Sequence, residues 1–225
     1  MRNHIIEQIL LKQSPEKIID ALSPYLTDQR KARIEAVLQH RIESITLAIE
    51  HPADINNALA AVRTCEALGI ATIHIISPQH HAQYINSITK SAFYWVNIVM
   101  HKTLSDFLPQ MKKEKRIIAG AVLQTQKKLA TLSIDQPLCI LIGNEQRGLT
   151  DDAKKACDIL FSIPMCGMVE SLNLSVAAAI AVFDLTERKR AQLQNKTDLS
   201  LHAANQLRAK YYLNSVDIRL ATHLF

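Results

Sequence analysis

"LCILIGNEQRGLTDDAKKACDILFSIP" (residues 138–164) holds the reading on which the fold turns. Its first five residues are apolar without alternation, as suits a strand buried on both faces. Gly143 and Gly148 then bracket a polar turn, Thr150 stands as a helix N-cap, and a second β-branched run follows the short helix at "ILFSIP" (159–164). Strand, turn, helix and strand make one unit of a parallel sheet covered by helices on both sides.

The same pattern extends outward. "SITLAIE" (44–50), "ATIHIIS" (71–77), "YWVNIVM" (94–100) and "RIIAGAVL" (116–123) are further strand-like runs, separated by stretches with helical spacing. After residue 164 the chain bends at Gly167 and, from Ser171 to about Gln194, reads as one long helix, apolar first and basic at its end. All five glycines lie between residues 69 and 167, so the turn-rich α/β part occupies the centre and the ends are mostly helix. Ser14 with Pro15 starts one terminal helix, Thr27 or Asp28 starts another, and residues 198–214 form a third. The expected organisation is a helical extension over 1–40, an α/β domain over 41–194 and a helical tail over 195–225.

Lys and Arg outnumber Asp and Glu by 26 to 21, and the cations cluster at "RKAR" (30–33), "KKEKR" (112–116) and "RKR" (188–190), which suits a polyanionic partner. The four cysteines are widely spaced, without C-x-x-C or a nearby histidine at metal-ligand spacing, and read as small buried apolar residues of a reducing compartment. No metal site is expected. The N-terminus lacks the pattern of a signal peptide and no apolar run reaches the roughly 18 residues of a membrane span, so a cytoplasmic protein without a membrane partner is expected.

Ligands of open parallel sheets bind at the carboxyl ends of the strands. Three loops there carry polar residues. "INNALAAVRTCEALGI" (55–70) holds Asn57 and Arg63, which read either as an N-cap and a snorkelling surface residue or as site residues. "ILIGNEQRGLTDDA" (140–153) places Asn144 and Glu145 between two glycines, as a plain strand-to-helix turn or as backbone held open for a ligand. "IPMCGMVESLNLSVAAAIAVF" (163–183) sets Glu170, Ser171 and Asn173 between two apolar stretches, with Ser171 an N-cap and Asn173 a first-turn residue in the plain reading. Neither G-x-x-x-x-G-K-[ST] nor G-x-G-x-x-G occurs, which disfavours a nucleotide-dependent Rossmann enzyme.

Those three segments, in that order, resemble motifs 1, 2 and 3 of the SpoU branch of the SPOUT RNA 2'-O-methyltransferases, anchored by "RTCEALG", "GNE" and "SLNLSVAAA". The likeness covers roughly residues 28–190, and "DQRKARIEAVLQHR" (28–41) is similar to the helix opening those members that methylate guanosine 18 of tRNA. The resemblance implies a parallel sheet with a C-terminal deep trefoil knot and S-adenosylmethionine as cofactor, held near Gly120, Gly143, Ile163 and Leu172. It implies a homodimer in which Arg63 of one subunit completes the other's site, with Asn57, Glu145, Ser171 and Asn173 shaping that site. It further implies tRNA as partner, gripped at its phosphates by "RKAR" and "RKR", with methylation of ribosomal RNA or another tRNA position as the alternative. A non-catalytic RNA-binding module would not need Arg63, Glu145, Ser171 and Asn173 together. Two departures stand out: Asp54 occupies a place where a basic residue is usual in the family, and about 25 residues precede its usual start.

Overall fold

The central strand-like runs are mostly apolar on both faces because both faces are covered, residues 45–50 and 138–142 being buried along their whole length. In a computed structural model, which describes residues 2–78, 94–194 and 196–225, these runs form β1 (Ile45–Glu50), β2 (Thr72–Ile76), β3 (Asn97–His101), β4 (Ile117–Ala121), β5 (Leu138–Ile142) and β6 (Ile159–Phe161). They pair in parallel in the order β3-β2-β1-β5-β4-β6. The order reverses between β1 and β5, so the crevice at the carboxyl ends of these strands is the favoured place for a ligand.

The described helices are α1 (Arg2–Lys12), α2 (Pro15–Leu22), α3 (Asp28–Leu38), α4 (Ile55–Ala67), α5 (Leu104–Lys113), α6 (Asp151–Ala156), α7 (Leu174–Gln192), α8 (Leu201–Ser215) and α9 (Ile218–Leu224). Residues 79–93 lie outside the described residues. On one side of the sheet Ala58, Val62 and Cys65 of α4 and Leu174, Ala178, Ala181 and Leu185 of α7 share a core with Leu47, Ile49, Ile140 and Ile142. Another buried cluster joins Ala48 and Leu141 to Phe107 and Met111 of α5 and Ala153 of α6.

The chain divides into two compact units: Ile42–Gln194, which holds the sheet, and Met1–Arg41 with Asn195–Phe225. Both terminal helical segments thus build one body. There α2 packs on α8, the Arg2 guanidinium caps the end of α8 through the Val216 carbonyl (2.9 Å), and Arg208 forks onto Glu35 (2.6 and 2.8 Å). Buried Arg41 donates to the Tyr211 hydroxyl at 2.9 Å. Lys and Arg exceed Asp and Glu by 11 to 7 in this unit and by 15 to 14 in the sheet unit.

Several local expectations change. The long helix begins at Leu174, with Asn173 rather than Ser171 as its N-cap. Gly167 has no positive φ, and a Cβ there would meet nothing within 4 Å, so the bend does not depend on glycine. Cys65 and Cys139 are buried as expected, but Cys157 is half-buried and Cys166 is exposed. The "RKR" cluster serves the fold: Arg188 donates to the Leu132 and Leu129 carbonyls, Lys189 to Ile134 and Arg190 to Leu68. These cations donate to carbonyls of the same unit, so much of their hydrogen-bonding reach is committed to the fold. "RKAR" is more exposed at Arg30 and Arg33, although the Arg30 Nε donates to the Ser215 hydroxyl at 2.9 Å. Among the described residues no helix is long and apolar enough to cross a membrane.

At the β2–β3 edge, His74 and His101 are buried and joined Nδ1 to Nε2 at 3.0 Å, both edge-on to Phe107. In the neutral pair one N–H bridges the two nitrogens, whereas charging both rings would set donor against donor. Burial first, then the neighbouring imidazole, pulls His74 down to about 4, and burial also lowers His101. The unfolded chain titrates near 6.5, so between about pH 4 and 6.5 it binds more protons than the folded one and stability falls as pH falls. The loss reaches at most about 3 kcal/mol for His74. Urea unfolding at stepped pH should show this decline, and His74→Gln should flatten it; an unchanged slope in the variant would remove the pair as its cause.

Candidate active site

The carboxyl ends of β1 and β5 are fastened together by short polar ties. Gly143 ends β5 where nothing larger fits: a Cβ would stand 2.2 Å from the Gly148 carbonyl carbon and the Leu149 nitrogen. The turn closes on itself through Asn144 and Gly148, whose backbone N–H groups donate to each other's carbonyls at 3.0 and 2.8 Å, and Gly148 takes φ +67°. The Asn144 side chain donates to the His51 carbonyl at 2.7 Å, while its oxygen accepts from the Gln146 and Arg147 nitrogens. At the far end of the loop Thr150 caps α6 and donates from both backbone nitrogen (2.9 Å) and hydroxyl (2.7 Å) to the buried Glu50 carboxylate. The loop is thus pinned to β1 at both ends.

Glu145 reaches from this loop to the start of α4. One carboxylate oxygen accepts from the Ala53 backbone at 2.7 Å and the other from Asn57 Nδ2 at 2.9 Å. Asn57 Oδ1 in turn accepts from Asn173 Nδ2 at 3.0 Å, and Asn173 Oδ1 accepts from the Ser175 nitrogen and hydroxyl at 2.8 and 2.6 Å. Glu145 can only accept, which orients the Asn57 amide, which orients the Asn173 amide. Asn57 is therefore not a helix cap; Asp54 is, accepting from the Asn56 nitrogen at 2.9 Å. That capping role accounts for an acidic residue at position 54.

A cavity of about 470 Å³ opens beside this chain of amides. Gly143, Glu145, Ile163, Ser171 and Leu172 line it, so the structure brings together five of the expected residues. Gly120 stays inside β4, where its missing side chain makes room for Cys157 and Leu149, and Ala121 and Val122 line the cavity instead. Arg63 is exposed on α4, lines no part of the cavity and makes no hydrogen bond with the described residues. Sequence reasoning missed Glu50 and gave Asn144 no tie; an acidic residue ending a buried strand was the available signal for the first.

Residues 44–183 match the SpoU rRNA Methylase family. The tRNA (guanosine(18)-2'-O)-methyltransferase of Borreliella burgdorferi is 33% identical over 199 residues, 87% of this chain and 90% of that protein. Among solved structures, the TrmH/SpoU tRNA modifying enzyme of A. aeolicus superposes with a TM-score of 0.72 at 23% identity, covering 84% of this chain and 98% of that one. The SpoU methyltransferase AviRb of Streptomyces viridochromogenes, in complex with AdoMet, superposes with a TM-score of 0.60 at 21% identity over 65% of this chain and 58% of its own.

Proposed function

Since this chain belongs to the SpoU rRNA Methylase family, whose members carry out S-adenosylmethionine-dependent 2'-O-methylation of RNA ribose, we propose that its own target is guanosine 18 in the D-loop of tRNA. The observation that carries the reading is the run Glu145–Asn57–Asn173, in which one residue from each of three sequence motifs is hydrogen-bonded at the edge of one cavity. The named relative matched over 90% of its length supports the substrate.

The cavity fits the cofactor. Its volume lies within the usual range for small-molecule sites, and Gly143 brings bare backbone to its wall. Gly143, Ile163 and Leu172 hold the ligand there, with Ala121 and Val122 in place of Gly120. When bound, S-adenosylmethionine supplies an electrophilic methyl carbon on a sulfonium. The ribose 2'-oxygen would have to lie in line with that carbon, with its proton passing to a water molecule in the site. The planar Arg63 guanidinium offers donors and no acceptor, so its part is to grip the ribose phosphate with charge-assisted hydrogen bonds. Glu145 holds the Asn57 and Asn173 amides, and Ser171 presents a hydroxyl at the cavity wall.

The segment between β6 and α7 threads a trefoil knot in this proposal. Support comes from the loop at 127–129, which brackets Ser162: the Ser162 nitrogen donates to the Lys127 carbonyl and the Leu129 nitrogen to the Ser162 carbonyl, both at 3.0 Å. The active form is a homodimer. Val176, Ile180 and Phe183 are exposed on one stripe of α7, apolar surface that a second copy would cover. The terminal unit, with its four-charge basic excess, grips tRNA through Arg30 and Arg33.

The test is to incubate purified protein with unmodified tRNA and cofactor and to map the new methyl group. A 2'-O-methyl at the D-loop guanosine is expected. A methyl group in ribosomal RNA or at another tRNA nucleotide overturns the substrate and leaves the chemistry standing.

A further inference from the structure

A second cavity of about 830 Å³ lies beside the first, and Leu123, Ile163, Met165 and Glu170 line both. Its own lining is of another kind. Gln124 and Gln126 bring two side-chain amides, while Pro164 and Val169 add apolar surface. Lys128 is spent on structure, its ammonium donating to the Thr125 carbonyl at 2.9 Å and the Ser162 hydroxyl at 3.0 Å, which fastens the amide-bearing loop to the end of β6. Glu170, exposed on the shared wall, meets no cation or donor among the described residues.

We propose that this second cavity seats the target base and that Glu170 selects guanine; the inference rests on the methyl-transfer reading above. A 2'-hydroxyl reaches a methyl donor only if its base sits within about a ribose's width of the donor site, and two cavities with a common wall meet that condition. An ionised carboxylate is an acceptor with two oxygens. Guanine alone offers it two adjacent donors, N1–H and the N2 amino group. Adenine and cytosine place a bare ring nitrogen there, and uracil a single N–H flanked by two carbonyls. The Gln124 and Gln126 amides can complete the site by donating to O6 and N7, and the apolar surface suits the face of an extruded ring.

The test compares tRNA transcripts carrying guanosine, inosine or adenosine at the methylated position, using wild-type protein and Glu170→Gln, with cofactor affinity measured separately by equilibrium dialysis. Inosine lacks the N2 amino group. Wild-type protein should prefer guanosine over inosine by about 10-fold to 100-fold in kcat/KM, the discrimination a bidentate base contact supplies. Glu170→Gln should erase most of that preference at unchanged cofactor affinity. Equal preference in both proteins overturns the inference, as does loss of cofactor affinity in step with rate, which would assign Glu170 to the donor cavity. Wild-type methylation of adenosine as fast as guanosine overturns the base assignment while leaving methyl transfer intact. Absence of any 2'-O-methyl product from every RNA overturns the function and this inference together.

Discussion

Arg63→Ala is expected to lower kcat for methyl transfer by about 10²-fold or more, the loss typical when a group that positions the reacting oxygen is removed. Folding and cofactor affinity should stay close to wild type. The separation follows from where the side chain stands: exposed on α4, outside the cavity lining, with no hydrogen bond to the described residues to lose. Its neighbours Val62 and Cys65 are buried in the core, and the substitution leaves them alone. Arg63→Lys keeps the charge but gives up the planar fork that matches a phosphate, so it should restore only part of the rate. Thermal unfolding, equilibrium dialysis with the cofactor and single-turnover kinetics on tRNA report the three quantities independently. A fall in cofactor affinity matching the fall in rate would place Arg63 in the donor cavity and defeat the assignment.

How much of this could be read in the sequence depends on how local the cause is. The six described strands were legible because a strand buried on both faces is apolar along most of its length, as "LCILIG" is throughout and "ATIHIIS" is apart from Thr72, His74 and Ser77. Caps that answer to their own helix were legible too: Ser14, Thr27 and Thr150 each accept from a backbone nitrogen three residues on. Ser171 and Asn173 defeated that logic because both are capping types two positions apart. Asn173 also bonds Asn57, 116 residues away, and no local pattern announces that partner. Glu145 is similar. Its position between two glycines suggested a site, but its grip on Ala53 and Asn57 depends on β1 and β5 lying side by side.

The basic clusters show the opposite failure. "RKR" and "RKAR" look alike as composition, yet Arg188 and Arg190 are half-buried on carbonyls of the sheet unit, while Arg33 is exposed and Arg30, also exposed, gives its Nε to Ser215. Charge clustering records that cations are present and says nothing of which acceptors the fold puts within range. The buried histidine pair is hidden for the same reason, since only the β2–β3 register sets His74 and His101 on one face.

Mixing two inactive variants should recover activity if the sites are shared between subunits. Arg63→Ala removes the phosphate grip. Asn173→Asp keeps an oxygen for the Ser175 nitrogen, so α7 remains capped, but turns the donor facing Asn57 Oδ1 into an acceptor. Asn57 cannot answer by flipping its amide, because Glu145 would then face an oxygen instead of Nδ2. Each variant alone should therefore form inactive dimers with the fold intact. After unfolding and refolding an equal mixture, about half the dimers are mixed, and if Arg63 serves the partner's site each mixed dimer holds one site with both residues native. The expected recovery is about a quarter of wild-type activity, from a background near zero. Were Arg63 to serve its own subunit, every site in the mixture would lack one residue and no activity would return. Sedimentation supplies the second arm: the apolar stripe Val176, Ile180 and Phe183 should hold the wild type as a dimer. Ile180→Lys should release monomers that bind tRNA but do not methylate it, since burying a lysine in an apolar contact costs more than such a contact returns. A fully active monomer would end the shared-site proposal.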